Sequence, residues 1–255
     1  MKNFIIACIA LVLSFPAFAS EKATVSLALE KDPNAIVVEL FTSQGCSSCP
    51  PAQEYLLQLS RRADVLTLEY HVDYWDTLKT WTGGSWKDPF SNSEWTERQV
   101  AYNQLIMEEE GHAYTPEMVI DGRYQGSGNG KSTVGGYIEE ARAQRRQKYT
   151  LEPAVTDDGS MTVSVSGPRL TEPADVLLLR LQKEAATDVK GGENKGAHIR
   201  GHNVVKEIMT IGTWDGGKGS YKFVLPKFAM GVETCAVLLQ DPETKRIYAG
   251  GLCLM

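Results

Sequence analysis

Cys46 and Cys49 flank Ser47-Ser48 inside the stretch FTSQGCSSCPPAQEYLLQL (41–59). Two thiols so spaced can cycle between dithiol and disulfide, supply half of a metal site, or act as a staple. A staple across so short a loop restricts the unfolded chain little. A structural zinc site needs a second ligand pair at matching spacing, and the sequence offers none. The redox alternative needs a stabilised thiolate, which a helix N-terminus supplies through unpaired N–H groups and its dipole. In that case Cys46 is the exposed nucleophile and Cys49, one turn on, the resolving thiol.

Other residues could do chemistry beside this pair. Glu39 interrupts the apolar run AIVVELF (35–41); buried there, its carboxyl has a raised pKa and can act as a base toward Cys49, whereas an edge-facing Glu would stay in solvent. Thr115-Pro116 stands just before the strand-like EMVIDG (117–122). Residues 73–95 hold Trp75, Trp81, Trp86 and Trp95, either as a lip over the dithiol or as a small core of the insert itself. His71 sits in a buried-strand pattern and reads as a satisfied core histidine. His198 and His202, four apart and near Glu193, could bind metal on a helix, but Gly196 and Gly201 argue against one; a loop touching the first half, or a weak metal site, is the lesser alternative. GSGNGKS has Gln125 where a phosphate-binding loop needs its first glycine, so it reads as a turn.

The elements that position these residues follow from patterning. The runs 35–41 and 64–72 are short, apolar and β-rich, as buried parallel strands are. Between them Ala52, Leu56 and Leu59 recur at helical spacing, with Pro50 and Pro51 tolerated in the first turn. Further helices are expected over 94–111 and 133–147, a strand over 117–122 and a hairpin at DGRYQGSGNGK. The order is β-α-β-α-β-(β)-α, and it places the cysteines where a strand hands over to a helix in a βαβ unit.

After residue 150 the pattern changes to seven short strands separated by Gly, Pro and Asp turns, which suggests a small all-β sandwich. Pairing Gln240 with Tyr248 around DPETKR sets Cys235 opposite Cys253 for a second disulfide; a one-residue slip would leave both as thiols. Lys2, the apolar Phe4–Leu13 and Ala17-Phe18-Ala19 read as a secretory signal over 1–19, removed together with Cys8. No other run is long enough to span a bilayer. The expected product is periplasmic or secreted. A formal net charge of −6 disfavours nucleic acid and anionic membranes as partners.

In the order of its elements, in GCSSCPP and in YTPEMVIDG the chain resembles the thioredoxin superfamily. More closely it resembles the secreted family known as domain of unknown function 1223, on ELFTSQGCSSCPPA, HVDYWD, WKDPF, RQ, YTPEMVIDG and GEN. These cover about 36–125 densely, and GEN…HNVV (192–205) extends the match. WDTLKTWTGGSWKDPF is longer than that family's usual link. The resemblance implies a thioredoxin-like domain with an insert over 33–149, followed by a β-rich domain over 150–255. It implies a cis Pro116 facing the dithiol, Thr115 offering backbone to an extended substrate, and Glu39 near the position of a buried acid that serves the second cysteine.

The expectation is an exported thiol-disulfide oxidoreductase acting on protein thiols and disulfides through Cys46 and Cys49. Glu39 assists, Thr115, Pro116 and Trp75 bind substrate, and no cofactor or resident metal is called for. Without a histidine between the cysteines, a reductase- or isomerase-like poise is favoured over a strong oxidant. The alternatives are a copper-binding protein using the same thiolates and a non-catalytic interaction module. The β-rich half is assigned to docking or to a homodimer contact.

Overall fold

The computed structural model describes residues 24–26, 32, 34–80, 83–107, 112–145, 148–156, 160–224 and 231–253. The expected signal segment, Cys8 and Trp81 lie outside the described residues. The elements are β1 (Thr24–Ser26), β2 (Ile36–Thr42), α1 (Pro50–Ser60), β3 (Val65–His71), α2 (Ser93–Met107), β4 (Glu117–Ile120), β5 (Tyr124–Ser127), α3 (Lys131–Gln144), β6 (Thr150–Thr156), β7 (Ser160–Gly167), β8 (Ala174–Asp188), β9 (His198–Trp214), β10 (Gly217–Val224), β11 (Glu233–Gln240) and β12 (Ile247–Leu252). Among the described residues no helix is long and apolar enough to cross a membrane.

The fold is mixed α/β around one large sheet of order β12-β11-β8-β9-β3-β2-β4-β5, with a smaller sheet of order β1-β6-β7-β10. β2 and β3 are parallel and buried along their whole length, which is why their sequences are almost unbroken apolar runs. β4 and β5 add antiparallel neighbours. The helices lie before residue 145 and strands follow, matching the change in sequence character. The second half does not close on itself, however. β8, β9, β11 and β12 continue the sheet of the first half, joined through a parallel pairing of β9 with β3 at Val204 and Glu69.

Side chains alternate across this sheet. On one face Val37, Phe41, Leu66 and Leu68 join Leu177, Leu179, Val205 and Leu238 in a core that α2 closes with Trp95 and Tyr102. Phe41 stacks on Tyr70 at 5.3 Å and meets Tyr102 edge-on at 6.1 Å. Such pairs each contribute roughly 0.5–1.5 kcal/mol beyond their burial. The other face is divided. Ile36, Val38, Leu40, Met118 and Ile120 receive α1 and α3 through Ala52, Leu56, Val134 and Ile138, whereas Val176, Leu178, Val237 and Leu239 pack against Leu151, Met161, Val163 and Val165 of the smaller sheet. The smaller sheet therefore packs on a layer that belongs to the central sheet.

Two local expectations change. Gln240 pairs with Ile247, not Tyr248, because a bulge falls between Leu239 and Gln240. Cys235 and Cys253 are nonetheless bonded and buried. β9 begins at His198, so the two histidines read as a loop lie on a strand, with His198 Nδ1 donating to Asp188 Oδ1 at 2.8 Å.

Candidate functional site

β2 ends at Thr42 and the chain turns twice before α1. Ser43 Oγ accepts from Gly45 N at 3.0 Å, Cys46 N donates to the Ser43 carbonyl at 3.2 Å, and Cys49 N donates to the Cys46 carbonyl at 3.2 Å. Cys49 is the N-cap of α1, and Cys46 is bonded to it. Cys46 thus precedes the helix instead of sitting in its first turn. Pro50 and Pro51 have no N–H, and the next two amides, of Ala52 and Gln53, both donate to the Cys49 carbonyl. The helix terminus has few free donors to offer a thiolate. Ser48 Oγ, 3.3 Å from Cys46 Sγ, is a donor in reach.

Opposite the disulfide, the Thr115–Pro116 peptide is cis, and the Thr115 carbonyl oxygen lies 3.9 Å from Cys46 Sγ. Trp75 Nε1 donates to Thr115 Oγ1 at 2.7 Å. Gly128, after β5, donates its N–H to the Pro116 carbonyl at 2.9 Å; a Cβ there would come within 2.9 Å of Ala52 Cβ, so glycine lets this turn pass against α1. The fold therefore brings Cys46, Cys49, Thr115, Pro116 and Trp75 together.

Glu39 is not among them. It is fully buried, but Val37, Glu39 and Phe41 face α2 while Ile36, Val38 and Leu40 face α1. Its carboxylate accepts from Arg98 Nε at 2.9 Å and from the Tyr102 hydroxyl. Alternation along β2 turns it to the side of the sheet away from Cys49, which corrects its reading as a base for that thiol. Burial opposes the Arg98 charge, and Glu39 overcomes this and holds the guanidinium protonated.

A different array occupies the α1 side. Glu69 and His71, alternate residues of β3, are both buried, as is Asp88 of the link to α2. His71 Nε2 lies 2.9 Å from Glu69 Oε1, and His71 Nδ1 lies 2.7 Å from Asp88 Oδ2. Burial alone would lower the imidazole pKa, but Asp88 and Glu69 reverse this and carry it up to about 10. The array reaches the dithiol loop at both ends. Gln53, one turn after Cys49, donates to Glu69 Oε1 at 2.6 Å, and Gln44 N donates to Asp88 Oδ2 at 2.8 Å. The signal in the sequence was the pair Glu69 and His71, two apart and so on one face of an otherwise apolar strand; reading His71 as a satisfied core residue captured its burial and missed its neighbours. Glu117, after the cis proline, is also buried, and desolvation pushes it up to about 7 against the amides of Gln99 and Asn103.

The connection between β8 and β9 forms a strap across the loop. Glu193 N donates to the Gly45 carbonyl at 3.3 Å, Asn194 Nδ2 to the carbonyls of Gln44 and Cys46 at 3.0 and 2.7 Å, and Ser47 N to Glu193 Oε2 at 2.8 Å. Cys46, whose carbonyl the strap bonds, is 1% exposed. Among the described residues no group of three or more His, Cys, Asp or Glu side chains converges as a metal site.

The model of the family described as "Protein of unknown function (DUF1223)" matches residues 37–240. Among solved structures, protein AGR_C_4864 from Agrobacterium tumefaciens is similar at 29% identity and a TM-score of 0.70, over 89% of this chain and 96% of that one. HBP35 of Porphyromonas gingivalis is similar in fold at 14% identity and a TM-score of 0.59, over 87% of this chain and 75% of that one. Among curated proteins there is no match.

Proposed function

Because the chain belongs to the DUF1223 family, whose description assigns no activity, we propose from its own geometry that it is a thiol-disulfide oxidoreductase of the thioredoxin-like type. The observation that carries the reading is the Cys46–Cys49 disulfide at a strand-to-helix turn, 3.9 Å from the carbonyl of the residue before cis Pro116. The run from β2 to α3 supports the thioredoxin-like assignment, and two disulfides in one chain support export to an oxidising compartment, periplasmic or extracellular. Substrates are protein thiols and disulfides.

In the reducing direction the Cys46 thiolate attacks a partner disulfide and expels one partner thiolate. Cys49 then loses its proton and attacks Cys46 Sγ, releasing the second partner thiol and forming the disulfide observed. Two electrons pass from the dithiol to the partner. Two features support this poise over a strongly oxidising one: Pro50 and Pro51 remove donors from the helix terminus, and the Glu69–His71–Asp88 array, two carboxylates around one imidazolium, sets net negative charge behind the loop. Both disfavour the thiolate. Equilibration against glutathione should give a potential on the reducing side of the strong periplasmic oxidant at ~−120 mV, and Cys49→Ala should trap partner proteins on Cys46. A folded protein whose thiols neither exchange with glutathione nor react with iodoacetamide after mild reduction would overturn the proposal.

A further inference from the structure

Cys46 is 1% exposed although Ser47 and Ser48 beside it are exposed. An external sulfur must approach Cys46 along the S–S axis for exchange to occur, so something over it has to move. Trp75 is anchored to Thr115 by its indole N–H and packs on the core under α2. The strap is held differently. Glu193 and residues 195–198 are exposed, and its ties to the loop are the four hydrogen bonds through Glu193 and Asn194, with Gly192 seated against Gly45 and Trp86. It keeps its own shape through Val189 N to the Ala197 carbonyl and Gly196 N to the Val189 carbonyl, both 2.9 Å.

One of those bonds has chemical content. The helix prolines have no N–H, and the Ala52 and Gln53 N–H groups are spent on the Cys49 carbonyl; the Ser47 N–H is the donor that directly follows Cys46 in the chain. The Glu193 carboxylate takes it. We propose that Glu193 is a positioning residue of the dithiol: its carboxylate holds the strap closed over the disulfide and, on reduction, competes with the Cys46 thiolate for the Ser47 N–H and repels it. The oxidised state favours closure and the reduced state favours release. This rests on the redox reading above. The Glu69–His71–Asp88 array meets the loop from beneath, and Lys190 and Lys195 are exposed on the strap itself.

The test separates this inference from the function it deepens. In a Cys49→Ala background, the thiolate of Cys46 is titrated by its ultraviolet absorbance with and without Glu193→Gln. The expected result is a Cys46 pKa lower by about half a unit in the variant, with the difference shrinking as salt is raised, since an exposed carboxylate is screened. In the otherwise native protein, Glu193→Gln should shift the glutathione equilibrium about threefold toward the dithiol. There the disulfide takes two electrons and two protons from two glutathiones, which leave as glutathione disulfide. Asn194→Ala, which loosens the strap without changing charge, should speed exchange and lower the Cys46 pKa less than Glu193→Gln does. A Cys46 pKa unmoved or raised by Glu193→Gln, or moved equally by Asn194→Ala, overturns the role of Glu193 whether or not the dithiol exchanges. Failure of the native disulfide to exchange at all while the titration shifts as expected would remove the oxidoreductase and leave Glu193 as the group that tunes the thiol.

Discussion

At the scale of single residues, burial decides what each carboxylate can do. Glu39, Glu69 and Glu117 are all at or near zero exposure, yet they have different partners: a guanidinium, an imidazolium and two neutral amides. Glu117 alone has no charged partner in hydrogen-bond contact, and burial carries it up to about 7 from 4.5. The folded protein then keeps a proton that the unfolded chain releases above its ordinary carboxylate pKa, so stability falls as pH rises between about 4.5 and about 7, by on the order of 3 kcal/mol. Glu117→Gln keeps the shape and removes the titration. Thermal melts from about pH 5 to about pH 8 should show the variant gaining on the native protein as pH rises; a difference that stays flat would mean that Glu117 is ionised throughout. Glu39 and Glu69 both interrupt apolar runs, and the sequence reading singled out Glu39 alone. Which one backs the dithiol depended on the face it points to, and that is set by the pairing of β2 with β3 and β4, not by neighbours in the chain.

Elements were legible where one period dominates. β2, α1 and β3 follow from two apolar runs around Ala52, Leu56 and Leu59, and the strand-like reading after Pro116 became β4. The strap was not legible, because a Gly-Gly-Glu-Asn turn has no periodicity and its partners lie about 146–150 positions away in sequence. α2 shows how an element with a weak apolar stripe is still fixed in place. Arg98 bonds Glu39 on β2, Gln240 on β11 and Tyr102 one turn on, so that three elements meet at one guanidinium. Removing one member leaves a buried charge without its partner, which costs about 3–5 kcal/mol. Arg98→Met should therefore lower unfolding free energy by that amount, and Glu39→Leu added to it should recover most of the loss, since an apolar pair in the same space is close to neutral. Denaturant unfolding of the two variants measures this. A double variant no better than the single one would place the cost in lost packing instead of in the unpaired carboxylate.

For the whole molecule, the finding with most reach is that the two halves share a sheet. A change of sequence character near residue 150 marked where helices give way to strands, but it could not show that β9 would dock on β3, because pairing between distant strands leaves no local trace. The Cys235–Cys253 bond ties β11 to the end of the chain, across a sequence separation of 18, on the side of the molecule packed against the smaller sheet. By loop-closure entropy its removal should cost about 3 kcal/mol. The Cys235→Ser/Cys253→Ser protein should accordingly melt earlier while its glutathione equilibrium at Cys46–Cys49 stays unchanged; a moved equilibrium would show that the two disulfides are coupled through the sheet. The strap also sets an order in time. Ser47 and Glu193 meet across 146 positions, so in a chain that emerges from its N-terminus, Cys46 and Cys49 are neighbours long before their cover exists. In an oxidising compartment the pair would meet outside oxidants during that interval, before Cys235 and Cys253 appear to compete for it, and the arrival of residues 192–194 would then cover the bond. In a chain oxidised as it emerges, that order would give Cys46 its partner Cys49 before the finished fold exists.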